Sequence, residues 1–329
     1  MTVEEYVTRW YKLYRAPRNQ RSTNALAEIN IRVHIRSSAL GKMELDCVTP
    51  RDVQIFLMDA LLHGNQRKIR NSDRRGKPLS RWTVRKLRQM LISAFRQAVR
   101  DGIVLRNPAE ETDPIPVQNS CIAVFSRLEQ KEFLERTQGS RFHTAYLLFF
   151  YTGCRRSEIL GLCWQDIDFE NRFFRVRRTL VMVAGKPYLR DGTKTQKSVR
   201  TIPLPEGLKN ALSDVRKQFE IESMEEGYSN PYHLVFTNRD GSPLDPRCVS
   251  RNFRYVAESL GLYGKHLHCT RHTWATNMLQ CGTAIPDVQA LGGWSSPSTL
   301  LSIYAHTVQD SQKNAMDTLW QRFHEQKSD

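Results

Sequence analysis

The sequence lacks any long apolar run. No stretch approaches the roughly 20 residues that a helix needs to cross a bilayer, and residues 1–20 lack the apolar core of a signal peptide. A lipidation motif is also missing. These absences argue against a membrane partner, so we expect a cytoplasmic protein.

Paired cysteines are lacking too. The seven cysteines are scattered, without a C-x-x-C pair, which predicts reduced thiols rather than a disulfide framework or a cysteine-based zinc site. His268 and His272 have the spacing of a zinc pair, but no Glu stands beside the first and no third ligand is evident. A G-x-x-x-x-G-K-[ST] loop for ATP is absent as well. We therefore expect no metal and no cofactor.

Acidic residues are too few to balance the basic ones. The 329 residues include 49 Lys and Arg against 34 Asp and Glu, for a net charge of +15 and a pI near 9.7. Such an excess points to a polyanionic partner, and nucleic acid fits better than a membrane surface. The length and a hydrophobic content of 40% suit two domains with real cores.

Residues 1–112 are predicted to form a helical domain. Apolar residues recur at three- and four-residue steps over positions 3–14. A second helix should begin at Thr49, its N-cap, and a third should begin near Ser80 and end at Gly102. We expect this domain to bind the DNA backbone.

A basic segment, His63–Leu79, separates the second and third predicted helices and contains a single acid, Asp73. So many charges cannot pack in a core, so the segment is either a solvated surface loop or a phosphate-contacting one. The net charge of the chain favours phosphate contact. The residues predicted to bind DNA are Arg67, Lys68, Arg70, Arg74, Arg75 and Lys77.

Residues 113–125 are predicted to link this domain to a second one, because Glu110–Val117 holds two prolines and three acids without periodicity. The second domain spans 126–329. It should begin with a capping box of Ser126 and Glu129.

Helices and strands then mix along the second domain. An apolar helix from Thr144 to Tyr151 should stop at Gly153, and helices should return from about Asp245. The β-forming runs between them are Phe173–Val183 and Arg200–Leu204, with Gly192–Ser198 as a hairpin tip and His233–Phe236 as a short strand. The predicted fold class is mainly α with a small antiparallel β-sheet.

Two arginines are candidates for anion binding. His268 and Arg271 are three residues apart on a predicted helix and so share a face, which suits a phosphate clamp beside a titratable ring. Arg155 follows Gly153 in a tight bend between two helices, and the adjacent Arg156 competes with it for the same role. Surface arginines are the alternative for each.

Together these motifs resemble the tyrosine recombinase family, the phage and transposon integrases. Five motifs occur in family order: T-G-C-R-R-S-E at Thr152, T-K-T-Q-K-S-V-R-T-I-P-L at Thr193, H-C-T-R-H-T at His268, L-G-G-W-S-S at Leu291 and I-Y-A-H at Ile303. The resemblance spans about residues 126–306. The helices before it resemble the family's SAM-like core-binding domain.

The resemblance implies a role for each matched residue. Arg155 and Arg271 would clamp the phosphate, and Lys194 would be the general acid, with Lys197 in reserve. His268 would move a proton, and Trp294 would donate one hydrogen bond without titrating. The resemblance thus implies a catalytic set of Arg155, Lys194, His268, Arg271, Trp294 and the nucleophile Tyr304.

The same resemblance implies the chemistry. Tyr304 would displace a 5′-hydroxyl and keep the phosphate as a 3′-phosphotyrosyl ester, so rejoining would need no ATP. Site-specific recombination or integration is the expected function. The alternatives are a type IB topoisomerase-like relaxing enzyme and a non-catalytic architectural DNA-binding protein.

The expected partners are double-stranded recombination sites and further copies of the chain, a tetramer on DNA and a monomer when free. An accessory directionality factor is a further candidate partner, and the setting would be the prokaryotic nucleoid. The residues after Tyr304 are predicted to end in a short helix with one apolar face, which holds Met316, Leu319, Trp320 and Phe323. This face would either dock on a neighbouring protomer or pack on its own domain. Many integrases carry a small arm-binding domain ahead of the core-binding helices, and this sequence begins at those helices.

Overall fold

The chain separates into two compact units, residues 1–120 and 121–329. The computed structural model describes residues 1–65, 68–69, 72–73, 75–117, 123–183, 185–192 and 199–304, together with residues 316 and 320. Each unit has its own apolar core, so each is described by itself. Among the described residues, no helix is both long and apolar enough to cross a membrane.

The first unit is built from helices whose starts are encoded locally. The side chains of Thr2, Thr49 and Ser80 each cap a helix, and Thr2 and Thr49 do so within capping boxes. The segments Tyr11–Arg15 and Ile31–Ile35 extend two of the helices as π-helical turns. The helices are α1 (Val3–Trp10), α2 (Arg21–Asn30), α3 (Ala39–Lys42), α4 (Pro50–His63) and α5 (Arg81–Arg100).

The core of the first unit lies between α1, α4 and α5 and also takes in Ile31 and Ile35. Sequence reasoning predicted α1, α4 and α5 but assigned nothing between residues 20 and 48. Only α3 in that stretch has a side-chain cap, from Ser38, whereas α2 begins at Gln20 without one. These helices are therefore held mainly by packing, which a local pattern does not reveal.

The basic segment contains a short antiparallel hairpin, β1 (Lys68–Ile69) and β2 (Ser72–Asp73). Asn65 and Lys77 form a bridge at its base, so the segment is partly ordered rather than a plain loop. Arg75 and Lys77 are exposed. The predicted contacts Arg67, Arg70 and Arg74, and the side chain of Lys68, lie outside the described residues.

Both described ends of the predicted linker are packed. Ile115 belongs to the core of the first unit, and the Asp113 amide donates to Gln54 Oε1 at 3.1 Å. Phe125 is buried in the core of the second unit, where its amide donates to Thr273 Oγ1 at 2.8 Å. Residues 118–122 lie outside the described residues.

The second unit is a helical body with two small β-sheets. Ser126 and Glu129 form the predicted capping box. Gly153 ends α7 with a φ of 62°, a left-handed conformation that suits glycine. The helices are α6 (Arg127–Arg136), α7 (His143–Thr152), α8 (Arg156–Leu160), α9 (Glu206–Glu222), α10 (Pro246–Ser259), α11 (Leu267–Gln280), α12 (Ile285–Gly292) and α13 (Pro297–Tyr304).

The secondary structure of the second unit differs from the prediction in several places. Helix α9 lies before Asp245, where helices were expected to return, and the strand β3 (Ile167–Asp168) was not predicted. Phe173–Val183 is two strands broken at Arg177, and an unpredicted strand follows them and pairs with the second. His233–Phe236 forms only a single bridge, between Leu234 and Cys163. The strands are β3 (Ile167–Asp168), β4 (Phe173–Val176), β5 (Arg178–Val183), β6 (Lys186–Asp191) and β7 (Arg200–Pro203).

The segment predicted as a hairpin tip, Gly192–Ser198, connects strands of two different sheets, because β6 pairs with β5 and β7 pairs with β4. β3, β4 and β7 form one antiparallel sheet, in which Val176 pairs with Arg200, and β5 and β6 form a separate hairpin. The chain therefore leaves β6 at Asp191 and returns in β7 at Arg200. Residues 193–198, which include Lys194 and Lys197, lie outside the described residues.

A small apolar cluster holds α11, α12 and α13 together. It comprises Trp274 and Ala275 of α11, Val288 of α12 and Leu300 of α13. The packing brings α13, whose last residue is Tyr304, against α11. Beyond it only Met316 and Trp320 are described, both helical and about two-thirds exposed, at 66% and 65%.

Candidate active site

Arg155 occupies the bend between α7 and α8. It is the N-cap of α8, with extended backbone, and its amide donates to Glu158 Oε2 at 2.7 Å. Its guanidinium donates from Nη1 to Glu158 Oε1 at 2.7 Å and from Nη2 to the Gly293 carbonyl at 2.6 Å. With 39% of its side chain exposed, Arg155 is fixed on one side and open to solvent on the other.

Arg156, the competing candidate, is engaged elsewhere. Its Nη1 donates to Ser250 Oγ at 2.6 Å and to the Pro246 carbonyl at 3.3 Å, both on α10. The backbone turn thus sends the two neighbouring arginines to different parts of the unit.

Arg271 is buried in the second turn of α11. Its Nη1 donates to the carbonyls of Gly153 at 2.5 Å and Gly292 at 2.6 Å, while its buried Nη2 has no hydrogen-bond partner among the residues described. Burial lowers the pKa of Arg271 to about 9, and the nearby charge of Arg155 acts in the same direction. The group is therefore still a cation at neutral pH, with one unsatisfied donor.

Three consecutive carbonyls at the end of α12 receive three arginines. Leu291 accepts from Arg200 Nε at 2.5 Å, and the Gly292 and Gly293 carbonyls accept from the two candidate clamp residues, Arg271 and Arg155. The carbonyls at a helix C-terminus carry partial negative charge and lack helical partners, so they attract cations. This turn gathers positive charge at one point.

Glu158 neutralises part of that charge. Its side chain is 1% exposed and accepts from both Arg155 and Arg200. Burial by itself would raise the pKa of Glu158, but the hydrogen bond and charge of Arg200 and the charge of Arg155 hold it below its ordinary value. Glu158 therefore acts as an ordering carboxylate. Within the described part of the chain, no three His, Cys, Asp or Glu side chains group as a metal site.

Trp294 lies over Arg271. The guanidinium carbon is 3.6 Å from the centre of the Trp294 ring, and that ring stacks on Trp274 at 6.1 Å and 13°. Glycines make room for both indoles: a Cβ on Gly292 would come within 1.8 Å of the Trp294 ring, and one on Gly153 within 2.2 Å of the Trp274 ring.

His268 is one turn before Arg271 on α11. It is solvent-accessible, yet desolvation by its surroundings lowers its pKa, with the charge of Arg271 as the next cause. Its ring meets His272 edge-on at 4.7 Å. Burial lowers the pKa of His272 to about 4, and its buried Nδ1 has no hydrogen-bond partner in the described structure. The neutral ring is the favoured form of both at neutral pH.

The structure thus brings together four of the six predicted catalytic residues: Arg155, His268, Arg271 and Trp294. The backbone of Tyr304 is described, but its side chain is not, and Lys194 lies outside the described residues. Sequence reasoning did not single out Arg200. The only available signal was its position in the V-R-T-I-P-L run, since its contacts join segments far apart in sequence.

Comparison with known proteins identifies the second unit. Residues 123–310, more than half of the chain, match the phage integrase family. A XerC-like tyrosine recombinase of Caldanaerobacter subterraneus is 28% identical over 310 residues, covering 89% of this chain and 76% of that protein. The transposase of transposon Tn916 from Enterococcus faecalis is 23% identical over 306 residues, covering 87% and 70%.

Solved structures share the fold. The Tn1549 transposon integrase, in complex with a circular-intermediate DNA, matches with a TM-score of 0.79 and 23% identity, over 97% of this chain and 99% of that one. A lambda integrase dimer bound to a core site matches with a TM-score of 0.65 and 16% identity, over 92% and 77%. The predicted fold class and the family resemblance are both confirmed. The chain belongs to the phage integrase family, the tyrosine recombinases, and is a site-specific recombinase that cuts and rejoins DNA strands.

Proposed function

We propose that Tyr304 is the nucleophile of this recombinase and that Arg155 and Arg271 clamp the phosphate it attacks. The observation that carries this proposal is the convergence of both guanidiniums on adjacent carbonyls, those of Gly293 and Gly292. Two cations held at one turn form a compact positive site. The motif order supports their assignment as the clamp.

The clamp acts on the transition state. Guanidinium groups donate parallel hydrogen bonds to nonbridging phosphate oxygens, whose charge grows toward the pentavalent transition state. Arg271 has a donor to spare in Nη2, and Arg155 is partly exposed. Loss of either arginine should cost roughly 3–4 kcal/mol or more of transition-state stabilisation, by analogy with preorganised oxyanion donors.

The bond changes balance without an added cofactor. The phenol oxygen of Tyr304 forms a bond to phosphorus as the bond from phosphorus to the 5′-oxygen breaks. The phenol gives up its proton, and the leaving oxygen takes one from Lys194. The reverse attack by a partner strand's 5′-hydroxyl restores the phosphodiester and releases the tyrosine.

His268 and Trp294 have different tasks in this scheme. His268 is held neutral by its lowered pKa, so it can accept the proton of the phenol at neutral pH. The indole of Trp294 has a single N–H and cannot titrate, so it can donate only a hydrogen bond to the phosphate.

The proposed partner is double-stranded DNA at recombination sites, bound in a homotetramer assembled from free monomers. Support comes from the net charge of +15 and from the exposed Arg75 and Lys77 beside the hairpin of the first unit. The neighbouring basic residues 67, 68, 70 and 74 belong to the same proposed surface. We also propose a prokaryotic nucleoid setting, because the XerC-like and Tn916 relatives are bacterial. An accessory directionality factor is a further proposed partner.

A paired assay separates this proposal from a relaxing enzyme of the topoisomerase IB kind. The two substrates are a plasmid with two recombination sites and a supercoiled plasmid without them. We expect deletion or inversion between the sites and little relaxation of the site-free plasmid. Relaxation of both plasmids without strand exchange would contradict the proposal.

A further inference from the structure

Arg200 is a buried cation with no role in the scheme above. We infer that Arg200 is a positioning residue for the phosphate clamp, acting through Glu158 and through the end of α12. The inference rests on the proposed function, because it takes Arg155 and Arg271 as the clamp. It adds a residue of the β-sheet to a site built from helix ends.

The first line of support is the shared carboxylate. Arg200 donates to Glu158 Oε2 from Nη2 at 2.8 Å and to Oε1 from Nη1 at 3.3 Å. The same two oxygens receive the Arg155 amide and the Arg155 guanidinium. Without Arg200, the two oxygens of Glu158 would be held by Arg155 alone, so the ion pair that orients the Arg155 guanidinium would lose its second support.

The second line of support is the end of α12. Arg200 Nε holds the Leu291 carbonyl, directly before the two carbonyls that receive Arg271 and Arg155. Gly293 is left-handed there, with a φ of 68°, and a Cβ on it would come within 2.9 Å of Arg200 Nη1. Arg200 therefore packs directly on the turn that orients both clamp residues.

Arg200 is buried beneath the clamp residues, so its guanidinium is not placed to contact the DNA phosphate. Its side chain is 7% exposed, and its guanidinium is occupied by Glu158, Leu291 and the thiol of Cys154. An effect on catalysis must therefore pass through its neighbours. Misplacement of a reacting group by about 1 Å can cost about 100-fold in rate, and we expect a loss of that order from Arg200→Met.

Two other roles for Arg200 must be distinguished from this one. It could brace the fold alone, in which case stability would fall but the rate of the folded enzyme would not. It could also act through Lys194, six residues before it in sequence, by anchoring the returning strand β7.

Arg141→Met is the matched control for a fold brace. Arg141 lies in the same unit and also pairs with a buried carboxylate, Glu222, at 2.6 and 2.7 Å, and with the Thr237 and Asn238 carbonyls. It therefore reproduces the chemistry of Arg200 with no contact to the clamp residues.

The experiment measures covalent adduct formation by the full chain in single turnover. The substrates are nicked duplexes bearing the mapped recombination site, one natural and one with sulfur as the 5′-bridging atom. A thiolate leaves without a proton, so the sulfur substrate bypasses the general acid. Wild type, Tyr304→Phe, Arg200→Met, Arg200→Lys, Arg141→Met and Lys194→Met are compared for rate, DNA affinity and Tm.

We expect Arg200→Met to lose about 100-fold in rate on both substrates, with DNA affinity like that of Arg141→Met. The substrate with the 5′-bridging sulfur should restore the rate of adduct formation for Lys194→Met and for no other variant. Equal rates for Arg200→Met and Arg141→Met, or recovery of Arg200→Met on sulfur, would overturn the inference. If Arg200→Met does not fold, Arg200→Lys decides by the same criteria, since lysine keeps the charge but cannot bridge Glu158 and Leu291. Adduct formation by Tyr304→Phe at the wild-type rate would instead refute the proposed nucleophile.

Discussion

The Arg271 guanidinium lies over the ring of Trp294, with the Arg271 Cζ 3.6 Å from the ring centre. Trp294 therefore contributes both to the packing of the site and to phosphate binding, and a substitution can separate these two contributions. One is its aromatic face, which covers Arg271 and stacks on Trp274. The other is the indole N–H, which the proposed mechanism assigns to the phosphate.

Trp294→Phe should keep the first contribution and lose the second. A hydrogen bond to a charged group is worth about 1.5–3 kcal/mol, so we expect adduct formation to slow by about 10- to 100-fold. The free energy of unfolding should change little, because phenylalanine can still cover Arg271. Adduct rates and urea unfolding measure the two effects. Trp274→Phe, which keeps Trp294 in place, is the control, and an equal loss of rate there would argue against a phosphate contact by Trp294.

Gly153→Ala should destabilise the second unit. The backbone φ of 62° costs an L-residue about 1–2 kcal/mol, and a Cβ would stand 2.2 Å from the Trp274 ring, adding about 1–3 kcal/mol of overpacking.

Gly139→Ala is the matched control for that substitution. Gly139 has a φ of 75°, and a Cβ added there would meet no described atom within 4 Å, so the change should cost only the backbone contribution. Chemical denaturation compares the two variants. Equal losses of unfolding free energy would show that the Trp274 contact is not tight.

Stability should rise with pH between about 4 and 6.5, and His272 is one reason. The pKa of folded His272 is about 4 because of burial, whereas an unfolded histidine has a pKa of about 6.5. In that window the unfolded chain binds a proton that the folded one does not, so lowering the pH favours unfolding by up to about 2–3 kcal/mol. His268 shifts in the same direction.

His272→Phe should remove most of the His272 contribution, which urea midpoints at pH 7.5 and pH 5 would measure. The exposed His63 provides the control, as His63→Phe. A pH dependence unchanged in His272→Phe would mean that the ring is not protonated on unfolding in this range.

Lys77→Ala should weaken DNA binding evenly across sequences. A lysine that contacts one phosphate releases about one counterion, so the slope of log affinity against log salt should fall by about 1. Titrations at several salt concentrations give the slope. Lys217→Ala, on the exposed face of α9 beside Asp214, should leave it unchanged. Equal slopes of log affinity against log salt for Lys77→Ala and wild type would show that Lys77 does not contact a DNA phosphate.

Features that depend on a few neighbouring residues could be predicted from the sequence. Thr49 and Ser126 begin helices because a capping side chain and its partner stand three residues apart. The class of fold followed from such signals together with the family resemblance. The resemblance also named Arg155 and Arg271, whose convergence on one turn the structure then displayed.

Features that depend on distant residues could not be predicted. Strand β6 contains Pro187 and several charges and is defined mainly by pairing with β5. The role inferred for Arg200 depends on Glu158 and Leu291, which are 42 and 91 residues away in sequence. Only the fold brings these groups together, so the residues around Arg200 in sequence do not indicate which groups its guanidinium contacts.

The most direct test of the account is the identity of the residue that carries the DNA. Wild type and Tyr304→Phe are incubated with nicked site DNA, and the trapped adduct is digested and sequenced by mass spectrometry. We expect a 3′-phosphate ester on Tyr304 in wild type and no adduct in Tyr304→Phe, which should still bind the duplex. An adduct on another residue, or equal adduct from both proteins, would contradict it.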